Sequence, residues 1–405
     1  MQILKSCKLS WRNIWRNRRR AIITISSVFF AVFFCSIMVS YQQGMWDKMI
    51  DNTLRTQSGH IQIHGTGYWE DKTVDNFLTM DSSTVQRIGK LENVENVSPR
   101  VETFALSSFG NISKGVAIVG ISPSDEAKKS NLNSHIIKGR YLSENDNGII
   151  IGEGLANYLK AAVGDTLALI GQGHFGASAS GLFAVRGIFQ IAIGDINNSL
   201  IYTSLQSAQK FIDMPDGYSG ILVTLKNDKK INESKTEIQT QLSENCEVYD
   251  WHFTMQRLLQ QSESDQAFGK ILLFILYLIV GFGILGTVIM LTNERQREFR
   301  TMISLGMQRG KLALGITLEL LIMTLIGVLA GLAVSFPAAL YFNINPIAIS
   351  GEMAKMFLDY GMEPLMPTSV DKWIFLKQIF AALAITALAA IYPVWKIKKL
   401  RLMEK

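Results

Sequence analysis

The sequence predicts an α-helical membrane protein with four transmembrane helices and a large mixed α/β extracytoplasmic domain inserted between helices 1 and 2. Three observations predict this fold: four long apolar runs, basic residues concentrated in three short segments, and a mixed strand and helix pattern over residues 45–268. Only 18% of the residues are charged, whereas about 25% is usual in a soluble protein.

Four apolar runs are long enough, or nearly so, to cross a bilayer. A helix needs about 20 apolar residues to cross the hydrocarbon core. Residues 21–46 and 271–293 contain no charged residue, residues 312–351 contain only Glu319, and residues 378–395 form the shortest run. The predicted spans are residues 21–44, 269–292, 312–341 and 373–395.

Basic residues indicate the orientation of these spans. Residues 1–20 contain seven basic and no acidic residues, residues 293–311 five and two, and residues 396–405 five and one. Residues 47–270 contain 20 basic and 26 acidic residues, a balance of −6. Cytoplasmic segments of membrane proteins carry the excess of Lys and Arg, so both termini and residues 293–311 are expected in the cytoplasm. The net charge of +6 therefore reflects topology and gives no indication of nucleic acid binding.

The segments outside the spans have distinct patterns. Residues 1–20 are expected to form a cytoplasmic amphipathic helix at the membrane surface, and residues 396–405 a cytoplasmic tail. Residues 45–268 are numerous enough to bury a core of their own, and their middle part, about residues 110–210, is expected to be rich in strands. Residues 342–372 are expected to form a second extracytoplasmic loop.

Residues 293–311 combine charge with a helical pattern. The segment begins with Glu294 and Arg295, which lie one turn before Glu298 and Phe299, and Gly306 is expected to end the helix. A short charged helix on the cytoplasmic face is what a membrane protein needs to receive force from a soluble partner. A solvated loop that is basic only for topological reasons is the alternative.

Glu319 is the acidic residue inside a predicted span. Such residues usually face the interior of the helix bundle. We expect a structural hydrogen bond to a neighbouring span, and a position on a substrate path is the alternative.

Several segments together resemble ABC transporter permeases of the MacB/FtsX class. Residues 294–307, Glu-Arg-Gln-Arg-Glu-Phe-Arg-Thr-Met-Ile-Ser-Leu-Gly-Met, look like the coupling segment of that class, and Tyr-Pro-Val-Trp-Lys at 392–396 looks like the end of its fourth span. Residues 58–63, 163–167 and 183–189 look like segments of the LolC and LolE lipoprotein-releasing branch. The ATPase-coupling residues that the resemblance implies are Glu294, Arg295, Arg297, Glu298, Phe299, Leu305 and Gly306.

Patterns that would indicate catalysis or ligand binding in the chain itself are weak. Residues 306–312 are one residue short of a phosphate-binding loop and carry Leu312 where Ser or Thr is required. Residues 171–176 match a dinucleotide fingerprint but precede a strand, so we expect a flexible loop there. His60 and His64 lack a further ligand nearby. We therefore expect no catalytic residue, no cofactor and no metal in this chain, with ATP and Mg²⁺ bound by a separate ATPase.

The resemblance implies a mechanotransmission subunit of the bacterial inner membrane. Its expected partners are an ABC ATPase dimer, a second permease that is identical or different, and a lipoprotein or other amphiphilic substrate. In LolC-like proteins a loop near residues 171–181 captures a periplasmic carrier, but here that loop has no Pro, Lys or Arg. The chain is then either the permease that does not recruit the carrier or one with another substrate.

Lipoprotein release is the expected function, with three alternatives. Two belong to the same class of protein: MacB-like efflux of drugs or peptides, and FtsX-like signalling to cell-wall hydrolases. The third is a membrane-anchored sensor or binding protein that works without an ATPase.

Overall fold

The computed structural model describes residues 11–12, 14–16, 18–191, 194–243, 245–359 and 364–399. The chain divides into two compact units. The helical unit comprises residues 1–48, 261–348 and 365–405, and the α/β unit comprises residues 49–260 and 349–364. Most of the expected amphipathic helix at 1–20 and of the tail at 396–405 lies outside the described residues.

Thirteen helices of the described chain are numbered here in chain order. They are α1 (Arg18–Thr53), α2 (Ser82–Gly89), α3 (Pro123–Ser130), α4 (Glu153–Leu159), α5 (Gly194–Ser199), α6 (Leu205–Phe211), α7 (Ile231–Thr240), α8 (Trp251–Thr254), α9 (Gln256–Glu294), α10 (Gln296–Ser304), α11 (Arg309–Ile344), α12 (Glu352–Asp359) and α13 (Lys372–Lys399).

The strands are numbered in the same way. They are β1 (Ile61–Gly65), β2 (Leu78–Thr79), β3 (Val94–Phe109), β4 (Ile112–Ile121), β5 (Ile136–Gly139), β6 (Ile149–Gly152), β7 (Thr166–Gln172), β8 (Ser178–Phe189), β9 (Leu200–Ser204), β10 (Gly217–Tyr218), β11 (Gly220–Leu225), β12 (Cys246–Asp250), β13 (Ile347–Ala348) and β14 (Leu365–Met366).

Four helices of the described chain are long and apolar enough to cross a membrane: α1 from Ala21, α9, α11 and α13. The shortest has 28 residues, which exceeds the roughly 20 residues that a bilayer core requires. They differ in packing, because half of the most apolar stretch of α11 is buried in the structure but only 11% of that of α9. Helix α11 is therefore the centre of the helical unit, and α9 leaves most of its apolar surface uncovered.

Two glycines bring α11 against α1. A Cβ on Gly327 would lie 2.8 Å from the carbonyl oxygen of Ile25, and one on Gly331 would lie 3.0 Å from the Cβ of Val32. Residues four apart share one face of a helix, and small residues on that face let two membrane helices approach closely. On another face of α11 the hydroxyl groups of Thr324 and Thr386 of α13 lie 2.8 Å apart.

The α/β unit is built on a ten-stranded sheet in the order β12-β1-β11-β3-β4-β9-β6-β8-β5, with β7 pairing β3 and β8. Strand β3 has 16 residues; its first part pairs with β11 and its second with β4. It thereby joins two hydrophobic clusters, one around β1, β11 and α7 and one around β6, β7 and α4.

From Val101 onward β3 alternates buried and exposed residues in the period of two that strands impose. The exposed positions include the apolar side chains of Phe104 and Leu106.

The segment between α11 and α13 contains regular structure. Helix α12 occupies eight residues of it, and β13 pairs antiparallel with β14.

Candidate coupling site

The segment between α9 and α11 folds as a short helix closed by a glycine turn. Helix α10 begins after Arg295 and ends at Ser304. The amide of Gly306 donates to the carbonyl of Ile303 and the amide of Met307 donates to that of Met302, both at 3.0 Å. Gly306 has φ +92°, a conformation that favours glycine, and this pair of bonds is a Schellman motif. The position of Gly306 therefore explains where α10 stops and the chain turns into α11.

Arg295 and Glu319 form a buried ion pair. Nη1 of Arg295 donates to Oε1 of Glu319 at 3.0 Å and to Oε2 at 2.9 Å, and both side chains are 5% exposed. Removing one member of such a pair costs about 3–5 kcal/mol because the other charge stays buried without compensation. The hydrogen bond that we expected Glu319 to make with a neighbouring span is made instead with the residue that precedes α10. The physical reason is charge, since a buried carboxylate needs a cation to compensate it.

A second ion pair connects the same arginine to the helix surface. Nε of Arg295 donates to Glu298 at 3.2 Å, and Nη2 of Arg16 donates to the same oxygen at 2.9 Å. The side chains of Arg16 and Glu298 are 54% and 44% exposed, so this contact contributes about 0–1 kcal/mol. The contact matters for position rather than for stability, because it joins the N-terminal helical residues to α10.

Phe299 fixes α10 to the helical unit. Its side chain is fully buried in a cluster that includes Ile14, Leu312 and Ile316. The guanidinium of Arg295 lies 5.6 Å from the centre of its ring. Arg295 and Phe299 are one turn apart, so one face of α10 holds both anchors.

The opposite face of α10 is exposed. Glu294, Arg297 and Thr301 are exposed, and the side chain of Leu305 is 82% exposed. Arg297, Thr301 and Leu305 are spaced four residues apart and therefore share a face. This face therefore offers both a cation and an apolar side chain for contact with another protein.

The sequence-predicted residues thus fall into two groups. Arg295, Phe299 and Glu319 are brought together as an internal anchor, and the half-exposed Glu298 joins Arg295 to the helix surface. Glu294, Arg297, Leu305 and Gly306 lie at the surface, as described above. No sequence pattern indicated Arg16, because its contact with Glu298 depends on how the N-terminal helical residues pack beside α10.

The weaker sequence patterns have structural explanations. His64 is 5% exposed; its Nδ1 lies 2.7 Å from the carbonyl of Ser219 and its Nε2 lies 2.9 Å from Gln62 Oε1. Nδ1 of His60 accepts from the amide of Leu225 at 3.2 Å. Residues 171–176 cover the end of β7 and the turn towards β8.

Two family models match this chain. Residues 21–241 match the MacB-like periplasmic core domain, and residues 270–402, which include the candidate coupling site, match the FtsX-like permease C-terminal domain. The chain is an ABC transporter permease of the MacB/FtsX class.

Named relatives of this permease are distant but extensive. The lipoprotein-releasing system transmembrane protein LolC of Neisseria meningitidis serogroup B is 22% identical over 92% of this chain and 90% of that protein. LolE of Haemophilus influenzae is 20% identical over 97% of both chains. The macrolide export ATP-binding/permease protein MacB of Nitrobacter winogradskyi is 20% identical over 82% of this chain and 52% of that protein. The names of these relatives specify two kinds of transported molecule, lipoproteins and macrolides.

Proposed function

We propose that this permease is a non-catalytic subunit of an ABC transporter that releases lipoproteins from the bacterial inner membrane. A separate ATPase dimer, with its ATP and Mg²⁺, would bind the exposed face of α10. The observation that carries the proposal is the two-sided α10, anchored inside by Arg295 and Phe299 and presenting Arg297 and Leu305 outside. The extensive similarity to LolC and LolE supports lipoproteins as the substrate.

The contacts of Arg295 give a physical route by which force from the ATPase would pass from α10 to the membrane helices. A push on the outer face of α10 acts on a helix that is joined to α11 through Glu319 and to the N-terminal helical residues through Glu298 and Arg16. A buried, doubly hydrogen-bonded pair transmits displacement better than an exposed one, because its geometry is held by packing on every side. The three elements would then move together when the ATPase closes.

The proposed orientation follows from the charge distribution. Both termini and α10 would lie in the cytoplasm, because the basic residues are concentrated in these segments. The α/β unit, between the first and second spans, would lie in the periplasm, because its segment of the chain has more acidic than basic residues. A second permease, identical or different, completes the membrane part. A periplasmic carrier would receive the lipoprotein.

The main test is affinity purification in detergent followed by mass spectrometry. Intact protein should recover an ABC ATPase and a bound lipoprotein. The double variant Arg297→Glu with Leu305→Asp should lose the ATPase, because it reverses a charge and places a carboxylate on the exposed face of α10. Lys398→Glu is the matched control, since Lys398 is an exposed basic residue of α13 outside that face, and it should keep the ATPase.

The outcomes separate the alternatives. Recovery of no ATPase by the intact protein would favour a sensor that works without one. Recovery of an ATPase with no lipoprotein, together with greater sensitivity of the deletion strain to macrolides, would favour efflux. The match to the MacB-like domain and the similarity to a macrolide exporter support that alternative. Recovery of a cell-wall hydrolase in place of a lipoprotein would favour FtsX-like signalling.

A further inference from the structure

The end of the helical unit opposite α10 carries two lysines at the same membrane depth. The bilayer core corresponds to about 20 helical residues at 1.5 Å each. Counting back about 20 residues from Asn293 on α9 and from Lys396 on α13 leads to within about one turn of Lys270 and Lys377. Both lysines therefore lie at the membrane–water interface at that end.

These lysines line one cavity that has both polar and apolar side chains. It has a volume of about 380 Å³ and lies between α1, α9 and α13. Its polar side chains include Gln42, Gln43, Gln266, Lys270, Lys377 and Gln378. Asp371 also lines it and accepts from the amide of Trp373 at 3.1 Å, so the two ammonium groups and this carboxylate leave a formal charge of +1.

Two glutamine side chains of the cavity make hydrogen bonds within the protein, whereas the two lysine side chains do not. Gln42 donates to the carbonyl of Asp265 at 2.9 Å, and Gln43 donates to Asp47 at 2.9 Å. Within the part of the chain that the structure describes, no hydrogen bond or ion pair joins the ammonium group of Lys270 or Lys377 to another residue. The donors available to a ligand therefore include two cations, which suit an anionic oxygen group such as a phosphate.

An apolar groove continues from this cavity into the membrane. It has a volume of about 310 Å³, lies between α9 and α13, and shares Tyr277 with the cavity that the two lysines line. It runs along α9 from Phe274 to Leu285, a rise of about 16 Å. The hydroxyl group of Tyr277 donates to Gln378 and marks the boundary between the polar and apolar parts.

We propose that this site binds one anionic phospholipid. Its phosphodiester would lie between Lys270 and Lys377, and one acyl chain would follow the groove along α9. A cavity with two cations next to an apolar groove parallel to the span has the same order of parts as a lipid, and α9 has the least buried apolar surface of the four spans. The site lies in the outer leaflet if the orientation proposed above is correct, but the lipid site itself does not depend on that orientation or on the cargo.

The test is titration of phosphatidylglycerol into the purified full-length protein in detergent, followed by native mass spectrometry. The variant Lys270→Gln with Lys377→Gln should bind about 30-fold more weakly, since each lysine near a lipid headgroup contributes about 1 kcal/mol. Lys372→Gln is the matched control, because this lysine is exposed at the start of α13 but does not line the cavity, and its affinity should be unchanged. The Lys270→Arg, Lys377→Arg variant should restore binding.

A second variant tests the groove independently of charge. A Cβ on Gly281 would lie 3.5 Å from Ile385, an ordinary contact, so Gly281→Leu should fold and fill the groove. It should reduce phosphatidylglycerol binding although both lysines remain. Equal binding by wild type and the double glutamine variant would overturn the proposal, as would displacement by glycerol phosphate alone or crosslinks showing a second permease in the groove. Co-purification of the ATPase, measured in the same samples, keeps this result separate from the proposed function.

Discussion

The two units contain the same buried ion pair in different surroundings. In the helical unit one nitrogen of Arg295 donates to both oxygens of Glu319, at 3.0 and 2.9 Å. In the α/β unit one nitrogen of Arg100 donates to both oxygens of Glu126, also at 3.0 and 2.9 Å. Each side chain of both pairs is at most 5% exposed. The local chemistry is therefore identical.

The remaining nitrogens of each arginine account for the difference. Arg295 reaches the half-exposed Glu298, and so connects the interior to a surface helix. Arg100 reaches the carbonyl of Gln57 at 3.0 Å, and so connects β3 to the segment that follows α1. The comparison shows that the further contact of the arginine distinguishes two otherwise similar buried pairs. This contact reaches a surface glutamate in the helical unit and a backbone carbonyl in the α/β unit.

A third charge also distinguishes the α/β pair. The Nζ of Lys129 is buried and has no hydrogen-bond partner among the described residues. Burial, and then the nearby Arg100, lower the pKa of Lys129 to about 7. Glu126 and Glu102 face the same group and oppose that change. In the helical unit the additional charges are those of Glu298 and Arg16, which pair with each other at 2.9 Å.

The largest expected effect is that of Glu126→Ala. It removes both hydrogen bonds from Arg100 to Glu126 and leaves the half-exposed Glu102, 3.8 Å away, as a weaker ion-pair partner beside Lys129. It should lower the free energy of unfolding of the α/β unit by about 5 kcal/mol. Thermal unfolding of the full chain, followed by circular dichroism, measures it. A loss below about 1 kcal/mol would mean that the pair is not formed in solution.

Glu319→Ala should have a smaller effect on stability, about 3 kcal/mol, because Arg295 retains Glu298. The double variant Arg295→Met, Glu319→Leu should recover most of the stability, since it removes both charges. It should not recover coupling of ATP hydrolysis to substrate release if force passes through the pair. Recovery of both properties by the double variant would contradict the proposed route.

Lys129→Met should change the pH dependence of the α/β unit. The folded pKa, about 7, is below the ordinary value of 10.5, so between these pH values the unfolded chain binds the proton and the folded chain does not. Stability of the wild type should therefore rise with pH across this window and be lowest below pH 7. The free energy of unfolding of the variant should exceed that of the wild type by about 1–3 kcal/mol at pH 7. It should also change less between pH 7 and pH 9, when unfolding is measured at both. A profile as steep as that of the wild type would assign the dependence to another group.

Glu298→Gln should have the smallest effect on stability, at most about 1 kcal/mol, because its pair with Arg16 is exposed and screened by salt. Raising the salt concentration should remove that difference in unfolding temperature. A loss comparable with that of Glu319→Ala would show that Glu298 belongs to the buried pair.

The sequence by itself determined the membrane helices and the end of α10. An uncharged run of about 20 apolar residues has few stable alternatives to a membrane helix, because the backbone must satisfy its own hydrogen bonds there. Gly306 was identifiable as a stop because only glycine adopts its backbone conformation without strain. These are local properties, so residue type and spacing suffice to predict them.

Only the tertiary structure decided which charges meet. Residues 293–311 contain five basic residues, and no spacing indicates that Arg295 is the one that reaches Glu319, or that Glu126 reaches Arg100. The same is true of Lys270 and Lys377, which are more than 100 positions apart in the chain and meet at one cavity. Long-range pairing depends on helix packing, which here follows from contacts such as Gly327 against Ile25. The pattern of a sequence records which face of a helix is apolar, but the neighbour of that face is set by the packing of the whole unit.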